Sequence, residues 1–377
     1  MRIILRQLCF VILLISSDLS SILGNMISNS SDTGNFSGEM AATAPIYLNE
    51  EKVVDLLEGQ WLALINAMHR SFLAVAAKNA VQPPRTSTTV NDTGVLMSMP
   101  GYVDLKTLDG EDGENVLTCK LVTQFPENSQ RNPPMPAILA TILMFDSATG
   151  KLNYIIDATE ITARRTAAAS VAATNILYKN RHSKTTEDPF ILCILGAGVQ
   201  GKNHAIAFNA AYPNISEIRI WNRGRSKAER LVDELKSLGI HQAVLASTER
   251  QCAEGADVLV TATRASQPIL RGGWVKKGAH INAVGAGETH YSELDLPLYR
   301  RAKIYLADED TGRSELQGLE SLGIPLIGTV GDIVLKPHLM PNQEEVTVFQ
   351  SCGMAAEDAL AAQLVYKRHL QAQKINN

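Results

Sequence analysis

The chain has 377 residues, of which 45% are hydrophobic and 20% charged, with a formal net charge of −4. That length can bury a core large enough for two domains, and the charge balance excludes the basic face that a nucleic-acid binder needs. Five cysteines without a C-x-x-C exclude a disulfide scaffold, and no histidine or cysteine stands at metal-ligand spacing from another, so no metal is expected.

Residues 1–24 carry Arg2 and Arg6, then an apolar run over 8–15, then small residues, which is the pattern of a secretory signal peptide. The run is too short to cross a bilayer as a helix, so no stable membrane span is expected. Residues 25–44, rich in Ser, Asn, Thr and Gly, read as disordered. Glycosylation sequons stand at Asn29, Asn35, Asn91 and Asn214. Met40 offers a second start that would give a leaderless chain. The expectation is a cytoplasmic working form, with the secretory pathway as the alternative.

From 46 to 79 the spacing of Val53, Leu56, Leu57, Trp61, Leu64, Ile65 and Met68 predicts a core-facing helix capped at Asn49. Pro83-Pro84 ends it. Strand-like runs at 87–90, 94–99, 115–124, 137–145 and 152–157, parted by turn signals such as Asp109-Gly110 and Asn132-Pro133, predict an antiparallel β-rich lobe. An alanine-rich helix from 160 to about 178 then leads out of this lobe, with Arg165 in its first turn.

The run 190–195 is apolar throughout and predicts a strand buried on both faces. It passes into Gly196-Ala197-Gly198-Val199-Gln200-Gly201, a complete G-x-G-x-x-G, and then into a helical pattern. The first glycine permits the tight turn, the second admits a pyrophosphate to the backbone, and the third lets helix pack on strand. The helix N–H groups then face the anion. The next strand, 217–221, ends in Asn222-Arg223-Gly224-Arg225-Ser226-Lys227, where an NAD site would place a carboxylate for the ribose. Arg223, Arg225 and Lys227 would instead attract a 2′-phosphate, so NADPH is the expected cofactor, met by Gly196, Ala197, Gly198, Val199, Gln200, Asn222, Arg223 and Gly224.

Further runs at 243–246, 257–262, 279–284 and 303–307 alternate with helical segments and predict a doubly wound parallel sheet. Gly285-Ala286-Gly287 closes one of these runs at the carboxyl end, where such sheets bind ligands. Residues 346–370 read as a long helix that packs back on the first lobe. Three cations of that lobe suggest an anion clamp. Lys120 lies among Leu117, Cys119, Leu121 and Val122 in a strand that must bury a face, and a buried lysine needs an anion or a depressed pKa. Arg85 lies in an extended Pro-Pro-Arg-Thr segment, and Arg165 adds a planar fork suited to a carboxylate.

The segments Thr162-Ala163-Arg164-Arg165-Thr166-Ala167-Ala168, Ile194-Leu195-Gly196-Ala197-Gly198-Val199-Gln200, Ile220-Trp221-Asn222-Arg223, His280-Ile281-Asn282-Ala283-Val284-Gly285-Ala286 and Val348-Phe349-Gln350-Ser351-Cys352-Gly353-Met354-Ala355-Ala356-Glu357-Asp358 together resemble the ornithine cyclodeaminase/mu-crystallin family, in order over roughly residues 45 to 370. The resemblance implies an α/β fold: a Rossmann-type doubly wound parallel sheet (166–339) plus a discontinuous α+β substrate-binding and dimerisation domain (45–165 and 340–377); it does not cover the leader and disordered segment (1–44). It implies a homodimer whose β-rich lobes pair. It assigns Arg85, Lys120 and Arg165 to a substrate carboxylate, Lys120 and Arg165 being catalytic as well, with Thr263 and Val284 beside the nicotinamide and Ser351 in the substrate pocket. Deaminating members carry an aspartate where this chain has Gly287, followed by Glu288. A glycine cannot relay a proton. That departure favours an NADPH-dependent reductase of cyclic ketimines bearing an α-carboxylate. The alternatives are an NAD-dependent ornithine cyclodeaminase, or a thyroid-hormone or small-ligand-binding protein that retains NADPH, with an iodothyronine as the further ligand.

Overall fold

The computed structural model describes residues 44–90, 93–110, 113–182, 188–285 and 289–376. The expectations for 1–43, Asn91, Gly287 and Glu288 lie outside the described residues. The first sheet contains β1 (Ile46–Leu48), β2 (Ala80–Val81), β3 (Thr86–Val90), β4 (Gly94–Val103), β5 (Val116–Gln124), β6 (Ile138–Phe145) and β7 (Leu152–Asp157). Its order is β1-β7-β6-β5-β4-β2, with β3 also on β4. All pairs are antiparallel except β1 with β7. Strand periodicity sets its two faces: Val116, Thr118, Lys120 and Val122 point into the core, while Leu117, Cys119 and Leu121 point out.

The helix predicted over 46–79 is in fact β1 followed by α1 (Glu50–Leu57) and α2 (Trp61–Ala76). Helical spacing carried no sign of the break, because the apolar positions of both helices keep one phase. Asn49 does cap α1, its side chain accepting from Lys52 N at 3.0 Å. After the short α3 (Leu105–Asp109), α4 (Thr159–Thr174) begins early enough that Arg165 falls in its second turn rather than its first. A helix dipole disfavours a cation chiefly in the first turn, so Arg165 escapes most of that cost.

The second sheet is built from β8 (Ile191–Leu195), α5 (Val199–Ala211), β9 (Glu217–Trp221), α6 (Arg225–Ser237), β10 (Ala243–Leu245), α7 (Glu249–Ala253), β11 (Val258–Thr261), β12 (His280–Ala283), α8 (Leu296–Arg301), β13 (Ala302–Leu306), α9 (Glu309–Ser321), β14 (Leu326–Thr329), α10 (Val330–Leu335) and β15 (Val346–Gln350). The strands are parallel throughout, in the order β10-β9-β8-β11-β12-β15-β13-β14. The chain winds outward from β8 through β9 to β10, then returns to β11 on the other side of β8. That reversal is the switch point where doubly wound sheets open a crevice.

Residues 346–350 correct the sequence reading. They form β15, buried at every position and inserted between β12 and β13, not the start of a helix. The return to the first lobe therefore follows Gln350. It is made by α11 (Ala355–Asn376), which packs on β4, β5 and α2. The buried, alanine-rich α4 lies against α2 on one side and α5 on the other, joining the two sheets.

Candidate active site

The glycine turn sits at the switch point. Gly196 has φ +125°, and a Cβ there would come 2.4 Å from Ala262 O; one on Gly201 would come 1.9 Å from Gly196 O. Only hydrogen fits at either place. Gly198 differs: a Cβ there would meet nothing within 4 Å among the described residues, so the space beside it is open to them. Gly198 is also the N-cap of α5 and contributes no side-chain cap. An uncapped helix N-terminus facing an open glycine is an anion cradle. Asn222 ties the next loop to it, accepting from Ala197 N at 3.1 Å and donating to Gly224 O at 3.0 Å. Gly224 in turn leaves the N-terminus of α6 without a side-chain cap. Arg225 is paired with Glu229 at 2.8 Å, whereas Arg223 and Lys227 make no ion pair among the described residues.

Across the crevice, Glu293 fastens the ends of β11 and β12. One carboxylate oxygen accepts from Thr263 N and Thr263 Oγ1, both at 2.6 Å, and the other accepts from Gly285 N at 3.0 Å. Burial raises the Glu293 carboxyl pKa, and these donors only partly offset it. Val284 lies between them, its N–H bonded to Thr261 O at 2.9 Å. Glu293 drew no notice in the sequence, since a lone Glu in a loop gives no pattern.

Each of the three cations expected to form an anion clamp already has a protein carboxylate. Lys120 Nζ lies 2.6 Å from Asp358 Oδ2; Arg165 reaches Asp358 Oδ1 through Nε at 3.0 Å and Glu357 Oε2 through Nη1 at 2.8 Å. All four groups are buried. Glu357 and Asp358 lie in the first turn of α11, where a helix dipole favours negative charge. Burial lowers the Lys120 pKa to about 8; Asp358 opposes the shift and neighbouring Arg165 adds to it. Burial also raises the Glu357 carboxyl, against the pull of Arg165. Lys120 keeps two of its three ammonium protons, and Arg165 its Nη2 group, beyond these pairs.

Arg85 spans the two lobes. Its Nη2 donates to Cys352 O and Gly353 O at 3.0 and 3.1 Å, and its Nη1 pairs with Glu315 of α9 at 3.0 Å. A Cβ on Gly353 would come 2.9 Å from Arg165 Nη1, so Arg85 and Arg165 converge on one short segment after β15. Ser351 opens that segment; it is buried and its Oγ has no hydrogen-bond partner among the described residues. His290 Nε2 lies 2.9 Å from the other oxygen of Glu315. Burial tends to raise the Glu315 carboxyl, and His290, Arg85 and Cys352 more than offset it, leaving it below the ordinary value. The fold thus gathers Arg85, Lys120, Arg165 and Ser351 at one end, and the glycine turn, Asn222, Thr263 and Val284 along the carboxyl edge of the parallel sheet. Glu315, Glu357 and Asp358 were not singled out beforehand, though the last two stand inside a quoted motif.

This fold and this crevice define a two-lobed protein of the Rossmann dinucleotide-binding class. The chain belongs to the ornithine cyclodeaminase/mu-crystallin family, whose pattern it matches over residues 48–373. It is 36% identical over 328 residues to the ketimine reductase mu-crystallin of Mus musculus, covering 86% of this chain and 97% of that one. The Thermococcus litoralis Δ1-pyrroline-2-carboxylate reductase, solved with NADH and L-proline, superposes with a TM-score of 0.75 at 29% identity, over 87% of this chain and 98% of its own. An archaeal alanine dehydrogenase dimer with bound NAD gives a TM-score of 0.74 at 25% identity, over 87% and 97%.

Proposed function

We propose that this chain reduces cyclic ketimines carrying an α-carboxylate, using NADPH. The observation that carries the reading is the convergence of Arg85, Arg165 and the unpartnered Ser351 hydroxyl on residues 351–353, beside the buried Lys120. Relatives named as reductases of ketimine and pyrroline carboxylates support it. The residues present fit a dinucleotide, because the open space at Gly198 and the uncapped start of α5 suit a pyrophosphate. Gly196 to Gln200 and Asn222 would hold it, with Arg223 and the Gly224 backbone toward a 2′-phosphate and Thr263 and Val284 beside the nicotinamide. When bound, that cofactor supplies a hydride.

The chain's own residues bind, orient and protonate. Arg85 and Arg165 take the substrate carboxylate with the donors left over from their carboxylate partners. Ser351 Oγ supplies a further hydrogen bond in a place where its own is unmet. Lys120, with its pKa near 8, holds a proton at neutral pH that it can yield to the imine nitrogen. Asp358 fixes the direction of that ammonium.

The test is NADPH oxidation with piperideine-2-carboxylate, with ornithine plus NAD as the contrasting substrate and an iodothyronine as a competing ligand. Conversion to the saturated cyclic amino acid is expected. Failure with every cyclic imine carboxylate would sink the proposal.

The proposal includes a homodimer. Among the described residues α11 packs on the first sheet at β4 and β5, while the opposite face presents Leu96, Leu117, Leu121, Leu139, Leu143 and Ile155, all at least part-exposed. A face of that kind calls for a partner. The cytoplasm remains the proposed compartment.

A further inference from the structure

We propose that His290, Glu315 and Cys352 form a binding site for a divalent cation of the zinc class at the mouth of the substrate cleft. Three separate segments supply them: the loop after β12, the middle of α9 and the turn after β15. One ligand atom from each, an imidazole nitrogen, a carboxylate oxygen and Sγ, lies within 4.8 Å of the others. Zinc bonds of about 2.0–2.3 Å place ligand atoms roughly 3.3–3.8 Å apart in a tetrahedron, so side-chain rotation alone closes the set. Sequence spacing gave no hint of it, because the three positions are far apart in the chain.

The surroundings suit such an ion. Glu315 Oε2 is buried and has no well-aligned hydrogen-bond donor among the described residues; its 2.9 Å neighbour is His290 Nε2. The other oxygen of Glu315 is held by Arg85 at 3.0 Å, the type of outer contact that orients a ligating carboxylate. The charge of Arg85 opposes a dication. It is, however, spread over two backbone carbonyls as well as Glu315, and the thiolate formed on binding adds a further negative charge beside the ion. A mixed nitrogen, oxygen and sulfur set favours zinc over magnesium or calcium. Access is open, since the His290 and Glu315 side chains are 32% and 16% exposed. Binding displaces the Cys352 thiol proton to solvent.

Three protein ligands leave the fourth position to water. The ion, with water as its fourth ligand, would fill the space beside Arg85 at the mouth of the cleft. Occupancy therefore blocks the substrate carboxylate, a consequence that rests on the reductase reading; the site itself does not.

Metal-free full-length protein titrated with Co2+ tests the site directly. We expect one equivalent to bind, with a thiolate-to-cobalt charge-transfer band and the visible absorption of tetrahedral cobalt. Cys352→Ser should remove the charge-transfer band, His290→Gln should weaken binding roughly tenfold or more, and Cys119→Ser should change neither. Circular dichroism and melting curves establish that the variants are folded. No band, or a band that persists in Cys352→Ser, overturns the site. Zn2+ added to turnover assays should inhibit the wild type reversibly by chelation, and the His290→Gln variant roughly tenfold less. A normal cobalt spectrum without inhibition overturns the blocking role alone. Should the protein fail to reduce any imine, the cobalt result still decides the site.

Discussion

The Lys120 ammonium lies 2.6 Å from Asp358 Oδ2, both groups being almost wholly out of solvent. One belongs to the central strand of the first sheet, the other to the helix that returns after the second sheet is complete. The contact ties the first sheet electrostatically to the helix that returns to it. Burial still outweighs the attraction and brings the lysine to about 8, within reach of proton transfer at neutral pH.

If Lys120 is the proton donor, activity needs its charged form. The ratio kcat/KM should hold steady up to about pH 8 and fall tenfold per pH unit above it. Lys120→Met should lower turnover by about 10² or more. A profile that stays level through pH 10 would assign the proton to another group. Asp358→Ala leaves Lys120 and Arg165 under-compensated in the interior and should cost about 3–5 kcal/mol of stability, measured by urea unfolding.

The glycine turn separates binding from folding. Gly198→Ala adds a methyl where nothing stands within 4 Å, so the melting temperature should be unchanged while dinucleotide affinity drops tenfold or more. Gly201→Ala drives a methyl to 1.9 Å from Gly196 O and should destabilise the protein even without cofactor. Calorimetric titration and thermal melting of both variants check the contrast; equal melting losses would refute it.

The proposed use of NADPH rests on Arg223. Arg223→Ala should weaken NADPH binding by about 1.5–3 kcal/mol, the range of a hydrogen bond to a charged group, and leave NADH nearly unaffected. Fluorescence titration with each nucleotide measures this. A wild type that prefers NADH would remove the NADPH reading and spare the hydride chemistry.

Two buried imidazoles set a pH limit on stability. Burial depresses His280 to about 3, with Arg181 adding to the effect, and His204 to about 4, from 6.5. Both folded values lie below the unfolded one, so the unfolded chain takes up more protons as pH falls through 6.5. Stability is full above that point and should decline below it, by up to about 1.4 kcal/mol per pH unit for each histidine. Urea midpoints at pH 7.5 and pH 5.0 test the window before most carboxylates titrate. His280→Asn should flatten the slope.

The dimer prediction is equally direct. Leu121 lies on the outer sheet face and is exposed, so Leu121→Asp should give a folded monomer by sedimentation. A wild type that sediments as a monomer would end the proposal.

Local pattern determined much of this protein. The apolar run before Gly196, the glycine spacing, the cations after Trp221 and the strand alternation around Lys120 are short-range features. They act through steric limits and side-chain period, which any reader of the sequence can apply. Tertiary structure decided where distant segments meet. It placed Val346–Gln350 as an inner strand instead of the start of a helix, because a strand between two neighbours satisfies its backbone from both sides. It matched Lys120, Arg165 and Arg85 with Asp358, Glu357 and Glu315, and brought His290 and Cys352 to the same edge. Such pairings depend on the packing of whole elements, and an interior charge has no partner written beside it in the chain.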